Sequence, residues 1–238
     1  KHGRRCSAAG AHLRPALARG NITLLTKAQV TKINITGNSV NGVTFKHKGK
    51  LHSVEANKEV ILSGGAINSP HLLMLSGIGP SKHLKEHGID VHVDLPGVGQ
   101  NLQDHVSVIL QYACKKSFPI HKVNQPHRKL ATGIRWVFTR KGIATSNIWE
   151  AGGLIKSSPN AAYPDIQYHF GPVGLDYNDD KISLLQAFSI HVDQLRPRSR
   201  GEVTLKSLNP LEKPLMTFNY LQDPEDLDEM VNGFKKAR

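Results

Sequence analysis

Ser63, Gly64 and Gly65 close the apolar run KEVIL (58–62), and Ser69-Pro70 follows inside GGAINSPHLLMLSGIG (64–79). Glycines directly behind a strand let backbone approach a ligand with no Cβ in the way. On the residues alone, a tight packing turn accounts for Gly64 and Gly65 equally well. Two Gly-x-Gly pairs, GIGPSK (77–82) and GVGQN (97–101), imitate the start of a dinucleotide turn. That turn needs a strand before its first glycine and a helix after it, so that the helix N-terminus faces the pyrophosphate. Gly77 instead follows a helical pattern and reads as a helix C-cap. Gly97 follows a proline and leads into a polar loop. Neither pair has a third glycine in register, and no GxxxxGK[ST] occurs.

Glu150 stands in NIWEAGG, among apolar residues of an expected central strand. Burying an unpaired carboxylate is costly, so a Glu there is paired or functional. Alternation alone equally allows it to face solvent. His169 (IQYHF) and His191 (SIHVDQ) read as sheet residues rather than a catalytic base. Cys6 and Cys114 are far apart and lack CxxC or Cys/His metal spacing, so free thiols and no metal site are expected.

The elements that must hold these residues follow from periodicity. Residues 4–19 read as a helix closed by Gly20, and NITLLT (21–26) as a short strand. AQVTKINIT, NSVNGVTFKH and KLHSVEANKEVILSGG read as a strand meander with turns at Gly37-Asn38 and Lys48-Gly49. Ser69 and Pro70 are a good N-cap and first helical residue, so a helix is expected from Pro70. A second helix runs from Pro80 to Gly88. IDVHVDL (89–95) alternates as a strand, and 96–105 is a polar loop.

After His105 the composition shifts. VSVILQYAC, SNIWEAGGLIKS, PDIQYHF and QAFSIHVDQL read as strands of one antiparallel sheet, with an amphipathic helix over 127–142 and an exposed loop over 171–183. RGEVTLKS (200–207) and PLMTFNY (214–220) are further strand-like pieces. Asp223 and Pro224 open a last helix, whose acids lead and bases trail as the helix dipole prefers.

The 238 residues carry a net charge of +12. The first hundred hold 13 Lys/Arg against 5 Asp/Glu. The basic residues are scattered, and aromatics are only 6%, too few for a base-stacking platform, so no nucleic-acid partner is expected. No apolar stretch reaches the ~18 residues of a membrane span. The chain starts at Lys1 and ends inside a helical pattern at Arg238, so a piece of a longer protein is expected.

GGAINSPHLLMLSGIGP (64–80) resembles the second signature of the glucose-methanol-choline (GMC) oxidoreductases: a small-residue pair, Ser-Pro, two aliphatics, then Ser-Gly-aliphatic-Gly. LPGVGQNLQDH (95–105) is similar to the run that follows it in the family, and KEVILSGGAINSP to the run around its start. WEAGGLIKS, PDIQYHFGPV and RPRSRGEVTLKSLNP look like the choline-oxidising branch, and the resemblance covers essentially the whole chain.

The resemblance implies a mixed α+β and α/β fold, a partial FAD-binding domain (1–105), an antiparallel-sheet substrate domain with helices (106–195) and the start of the family's C-terminal region (196–238). It implies FAD as cofactor and oxidation of choline, or another small alcohol, by hydride transfer to the flavin. The backbone of Val30 would contact the adenine. Ser63, Gly64, Gly65 and Ala66 would form the glycine turn near the cofactor, and Asn101 and His105 would lie toward the flavin. Glu150 would face the quaternary ammonium of choline, although relatives acting on other alcohols carry a Glu there too. The family's active-site histidine lies beyond this chain, so no catalytic residue is assigned. By itself the chain is then expected neither to retain FAD nor to turn over choline.

Alternatives are a GMC enzyme for another primary alcohol or a sugar, or a non-catalytic remnant. The electron acceptor is not readable. The branch further implies a place in glycine betaine synthesis, and a mitochondrial protein associated peripherally with the inner membrane.

Overall fold

The computed structural model describes residues 2–116, 119–123, 125–149, 151–178 and 181–238. The chain divides into two compact units. One comprises Thr23–Asp104 and Ser199–Gln222, the other Lys1–Ile22, His105–Arg198 and Asp223–Arg238.

In the first unit, Ala28–Thr36, Ser39–His47 and Lys50–Glu55 form the expected antiparallel meander. Lys48 and Gly49 both take positive φ, +49° and +80°, which suits the twist of a two-residue hairpin. The helix Gly65–Leu75 is locked to the first strand through Ser76, whose Oγ accepts from the Ile33 amide at 2.9 Å and donates to the Leu72 carbonyl at 2.7 Å. Gly77 ends that helix in the left-handed region (φ +81°), its N–H donating to the Met74 carbonyl, as a C-cap glycine should.

Pro80 opens the helix Ser81–Glu86, and Gly88 follows its end at φ +69°. Gln100–Leu102, Gly201–Thr204 and Leu215–Thr217 form a second antiparallel sheet. Met74, Leu84, Leu102, Val203 and Leu205 make the buried core between these pieces.

In the second unit, one antiparallel sheet runs in the order Ser107–Ala113, Ala187–Gln194, Ile166–Gly171, Ala151–Ile155. Helix Pro224–Ala237 covers one face. Asp223 caps it by accepting from the Glu225 amide at 2.9 Å, and Gly233 packs against Ile166 where a side chain would not fit. Gln194, fully buried, donates to Asp226 and Glu229 of this helix, and the Tyr168 hydroxyl donates to the Gly233 carbonyl. The amphipathic helix Pro126–Thr139 ends at Arg140.

Several expectations change. Residues 21–26 and 58–62 are irregular rather than stranded; no strand lies beside them among the described residues, and Leu25 and Ile61 are exposed. β-branched content without a ladder partner does not make a strand. The first helix reduces to a π-turn, Ala9–Leu13, continued by Arg14–Leu17, with Pro15 where its missing N–H costs least. The helix expected from Pro70 starts five residues earlier, and Pro70 sits inside it, where it deletes one rung. Only Val93–Asp94 of 89–95 pairs, in parallel with Ile78–Gly79. The expected loop 171–183 contains a hairpin of Gly174–Asn178 with Lys181–Leu185.

Candidate functional site

A cleft of about 380 Å³ lies in the first unit, walled by the first meander strand, the irregular segment 60–64 and helix Gly65–Leu75. Val30, Ser63 and Gly64 line it together, although Val30 is more than thirty residues from the other two. Gly65 and Ala66 begin the helix immediately beyond. Asn101 does not line the cleft; it is exposed at φ +64°, a conformation Asn tolerates. His105 is exposed and belongs to the other unit.

The two adjacent glycines are required for different reasons. Gly64 has an ordinary φ of −75°, but a Cβ there would sit 3.1 Å from both the Asn68 Cβ and the Ser69 amide nitrogen. Gly65 has open space around it and φ +81°, so its requirement is conformational: it turns the incoming chain into the helix.

The cleft fits part of a dinucleotide. Val30, Val43, Leu72 and Leu75 supply an apolar wall for a flat heteroaromatic ring. The backbone of 60–64 belongs to no sheet, leaving its polar groups for a ligand. No side chain caps the helix at Gly64, so its first-turn amides are not occupied by a cap. The volume is near the lower end of small-molecule sites, which run about 300–1,000 Å³.

Residue spacing also held a signal that was not used. Gln29, Asn68 and His71 line both this cleft and a neighbouring depression with Met216. Asn68 and His71 are three apart on one helix and so share a face. His71 is buried, and burial pushes its imidazole below the ordinary value, leaving it neutral at pH 7.

In the second unit, the sheet face opposite helix Pro224–Ala237 carries a polar cluster. His191 and His169 are register partners on neighbouring strands. Asp193 Oδ2 lies 3.3 Å from His169 Nε2. Trp149 stands edge-on to His191 with ring centroids 4.4 Å apart, and its ring occupies the space left by Gly171. His191 Nε2 is buried without a hydrogen-bond partner, and burial lowers the His191 pKa. Trp149 precedes the strand Ala151–Ile155 rather than lying in it, so strand alternation does not govern its direction. Glu150 lies outside the described residues. Among the described residues no group of His, Cys, Asp and Glu is arranged to hold a metal.

The meander with its glycine turn, and the antiparallel sheet with one helix-covered face, are an architecture of flavin-dependent oxidoreductases. Formate oxidase from Aspergillus oryzae RIB40, in a variant studied for FAD modification, superposes with a TM-score of 0.85 at 25% identity, over 100% of this chain and 46% of that one. Pyridoxine 4-oxidase from Mesorbium loti gives 0.80 at 26%, over 100% and 43%. The sequence models of the GMC oxidoreductases match residues 1–107 and 197–238, together more than half of the chain. The chain belongs to the GMC oxidoreductase family, whose cofactor is FAD.

The oxygen-dependent choline dehydrogenase of Staphylococcus xylosus is 46% identical over 237 residues, 100% of this chain and 42% of the relative. That of Staphylococcus aureus (strain JH9) is 44% identical over 236 residues, 99% and 41%. The chain thus spans about two fifths of the length of these relatives. They are bacterial proteins, which overturns the expectation of a mitochondrial, inner-membrane-associated protein. Among the described residues no helix is long and apolar enough to cross a membrane.

Proposed function

We propose that this chain supplies one wall of the FAD site and the substrate-facing sheet of a GMC enzyme that oxidises choline to betaine aldehyde. The observation that carries the reading is the convergence of Val30, Ser63 and Gly64 on one cleft. Bound FAD supplies the hydride acceptor. The chain's own part is to hold the adenine end against Val30 and to bring the backbone of Ser63–Gly65 close to the cofactor, with Ala66 beside it. Asn101 and His105 are assigned toward the flavin.

Glu150 is assigned to the substrate cation. A quaternary ammonium has no hydrogen to donate, so only charge and aromatic faces can hold it. Choline is the substrate named for relatives 44–46% identical to this chain, and oxygen is the acceptor in their names. Formate, pyridoxine and aryl-alcohol oxidases among the structural neighbours support a second reading, oxidation of a different alcohol.

The test is oxygen uptake by the flavin-loaded full-length protein with choline and with its neutral isostere 3,3-dimethylbutan-1-ol. The Glu150→Gln variant should raise KM for choline at least tenfold and change that for the isostere little. Equal losses on both substrates refute the cation-binding role. Turnover of the isostere alone by the unmodified protein favours the second reading.

A further inference from the structure

Between Asp104 and Glu150 the chain contains eight Lys/Arg and no acidic residue. This stretch builds one side of a cavity of about 860 Å³ in the second unit, distinct from the cleft described above. Arg4, Arg5, Arg140 and Lys141 line it, with Ser146 and Asn147, and no carboxylate is among its lining residues.

The walls are fixed by specific contacts. The Trp136 indole N–H donates to the Gly3 carbonyl at 2.7 Å, tying the segment that carries Arg4 and Arg5 to the helix Pro126–Thr139. The Arg140 guanidinium stacks on the same indole, 4.1 Å from the ring centroid. Arg140 caps the helix in the left-handed region at φ +55°, which throws its side chain off the helical course. Gly3 (φ +68°) abuts the Arg140 carbonyl where a Cβ would collide with that oxygen.

One atom is unaccounted for. Arg140 Nη1 is buried and has no hydrogen-bond partner. A charged donor removed from water without an acceptor is unfavourable, and a bound anion would satisfy it. Ser146 Oγ accepts from the Ile148 amide at 3.0 Å, which leaves its own O–H to donate.

We propose that this cavity binds a phosphomonoester dianion. Several fixed cations without a compensating carboxylate favour a doubly charged ligand over a singly charged carboxylate. The planar guanidinium of Arg140, oriented by its stacking, matches two oxygens of a phosphate. The phosphate can belong to a small solute or to a lipid headgroup, and the experiment separates these sources. The proposal does not depend on choline being the substrate.

The test is calorimetric titration of the full-length protein with inorganic phosphate and with glycerol 3-phosphate at constant ionic strength. A second arm measures sedimentation with phosphatidylcholine vesicles with and without phosphatidic acid. Saturable binding of either soluble probe, weakened at least tenfold by Arg140→Gln and several-fold by Arg5→Gln, is the expected result. Arg140→Lys should recover only part of the loss, because it keeps the charge and loses the fork. Binding confined to phosphatidic acid vesicles, with the same dependence on Arg140 and Arg5, supports the site with a lipid source. No saturable binding in either arm, or binding unchanged in Arg140→Gln and Arg5→Gln proteins of unaltered Tm, overturns it.

Discussion

Asp193 reaches across to His169 on the neighbouring strand, with Oδ2 3.3 Å from Nε2, while His191 lies two residues back from Asp193 beneath the Trp149 ring. Residues directly or diagonally opposite on adjacent strands are close enough to couple. His191 therefore titrates against a fixed background: burial lowers its pKa most, Asp193 raises it, and His169 lowers it. Neutral His191 is the form the fold prefers. Its contribution to stability is complete above the ordinary His value of about 6.5 and is lost as pH falls below that toward the lowered folded value. Asp193→Asn removes the one influence that raises it, so the His191 titration should move to lower pH. NMR of histidine labelled at the ring Cε1, assigned with His191→Gln, reads this directly. An unmoved or upward-shifted titration contradicts the arrangement.

A second imidazole works as a structural acceptor. His83 Nε2 accepts from the Leu205 amide at 3.0 Å, joining helix Ser81–Glu86 to the chain just beyond strand Gly201–Thr204. Protonation of Nε2 destroys that acceptor. Burial and the neighbouring His87 lower the His83 pKa, with Glu86 and Glu202 opposing. The stability due to neutral His83 is complete above about pH 6.5 and lost as pH falls toward the lowered value. His83→Phe should cost about 1–3 kcal/mol at pH 7.5 by leaving the buried Leu205 N–H unpaired. It should also flatten the loss of stability between pH 7.5 and 5.5. Urea unfolding at both pH values checks this, and a variant as pH-sensitive as the parent would exclude the role.

These two histidines mark what the sequence allowed and what it withheld. The four-stranded sheet was legible because VSVILQYAC, PDIQYHF and QAFSIHVDQL carry β-branched and aromatic residues between clear turns. The last helix was legible because Asp223-Pro224 and the spacing of Leu227, Met230 and Phe234 agree. Gly77 was read correctly as a helix end because element order, rather than the Gly-x-Gly string, decided it.

KEVIL misled because its composition is that of a strand, while strand formation depends on a partner that composition does not reveal. The Asp193–His169 pair joins residues twenty-four apart, and it follows only from the register Asp193↔Gln167 and His191↔His169. Arg140 was hidden by Gly142: the glycine two residues later looked like the helix stop, yet the arginine takes the left-handed turn.

Glycines at similar φ should respond differently to the same change. Gly65 (φ +81°) has nothing within 4 Å of a would-be Cβ, so Gly65→Ala should cost about 1–2 kcal/mol from the left-handed backbone alone. Gly99 (φ +82°) would drive its Cβ into the Val203 carbonyl oxygen, beside the 2.6 Å bond from the Val203 amide to the Gly99 carbonyl. Gly99→Ala adds overpacking of about 1–3 kcal/mol to the backbone term. Chemical denaturation should therefore place Gly99→Ala clearly below Gly65→Ala. Equal losses would mean that close approach to Val203 is not what fixes Gly99.

The assignment of the cofactor to the cleft rather than to a Gly-x-Gly string can be decided with two valine or alanine substitutions. Gly64 lines the cleft at an ordinary φ, so Gly64→Val is tolerated by the backbone but crowds Asn68 and Ser69 and narrows the space beside Val30. Gly97, in the GVG string, has no atom near a would-be Cβ and does not require positive φ. If FAD lies against Val30, Ser63 and Gly64, the full-length Gly64→Val protein should purify with at least several-fold less flavin per polypeptide. The Gly97→Ala protein should keep its full complement. Absorbance of the bound flavin against protein concentration measures both. The opposite order, flavin lost with Gly97→Ala and kept with Gly64→Val, would make GVGQN the nucleotide turn after all. That outcome would require its glycines to act through backbone proximity to the cofactor, although Gly97 is followed by a polar turn and a short strand, Gln100–Leu102, where a dinucleotide turn needs a helix.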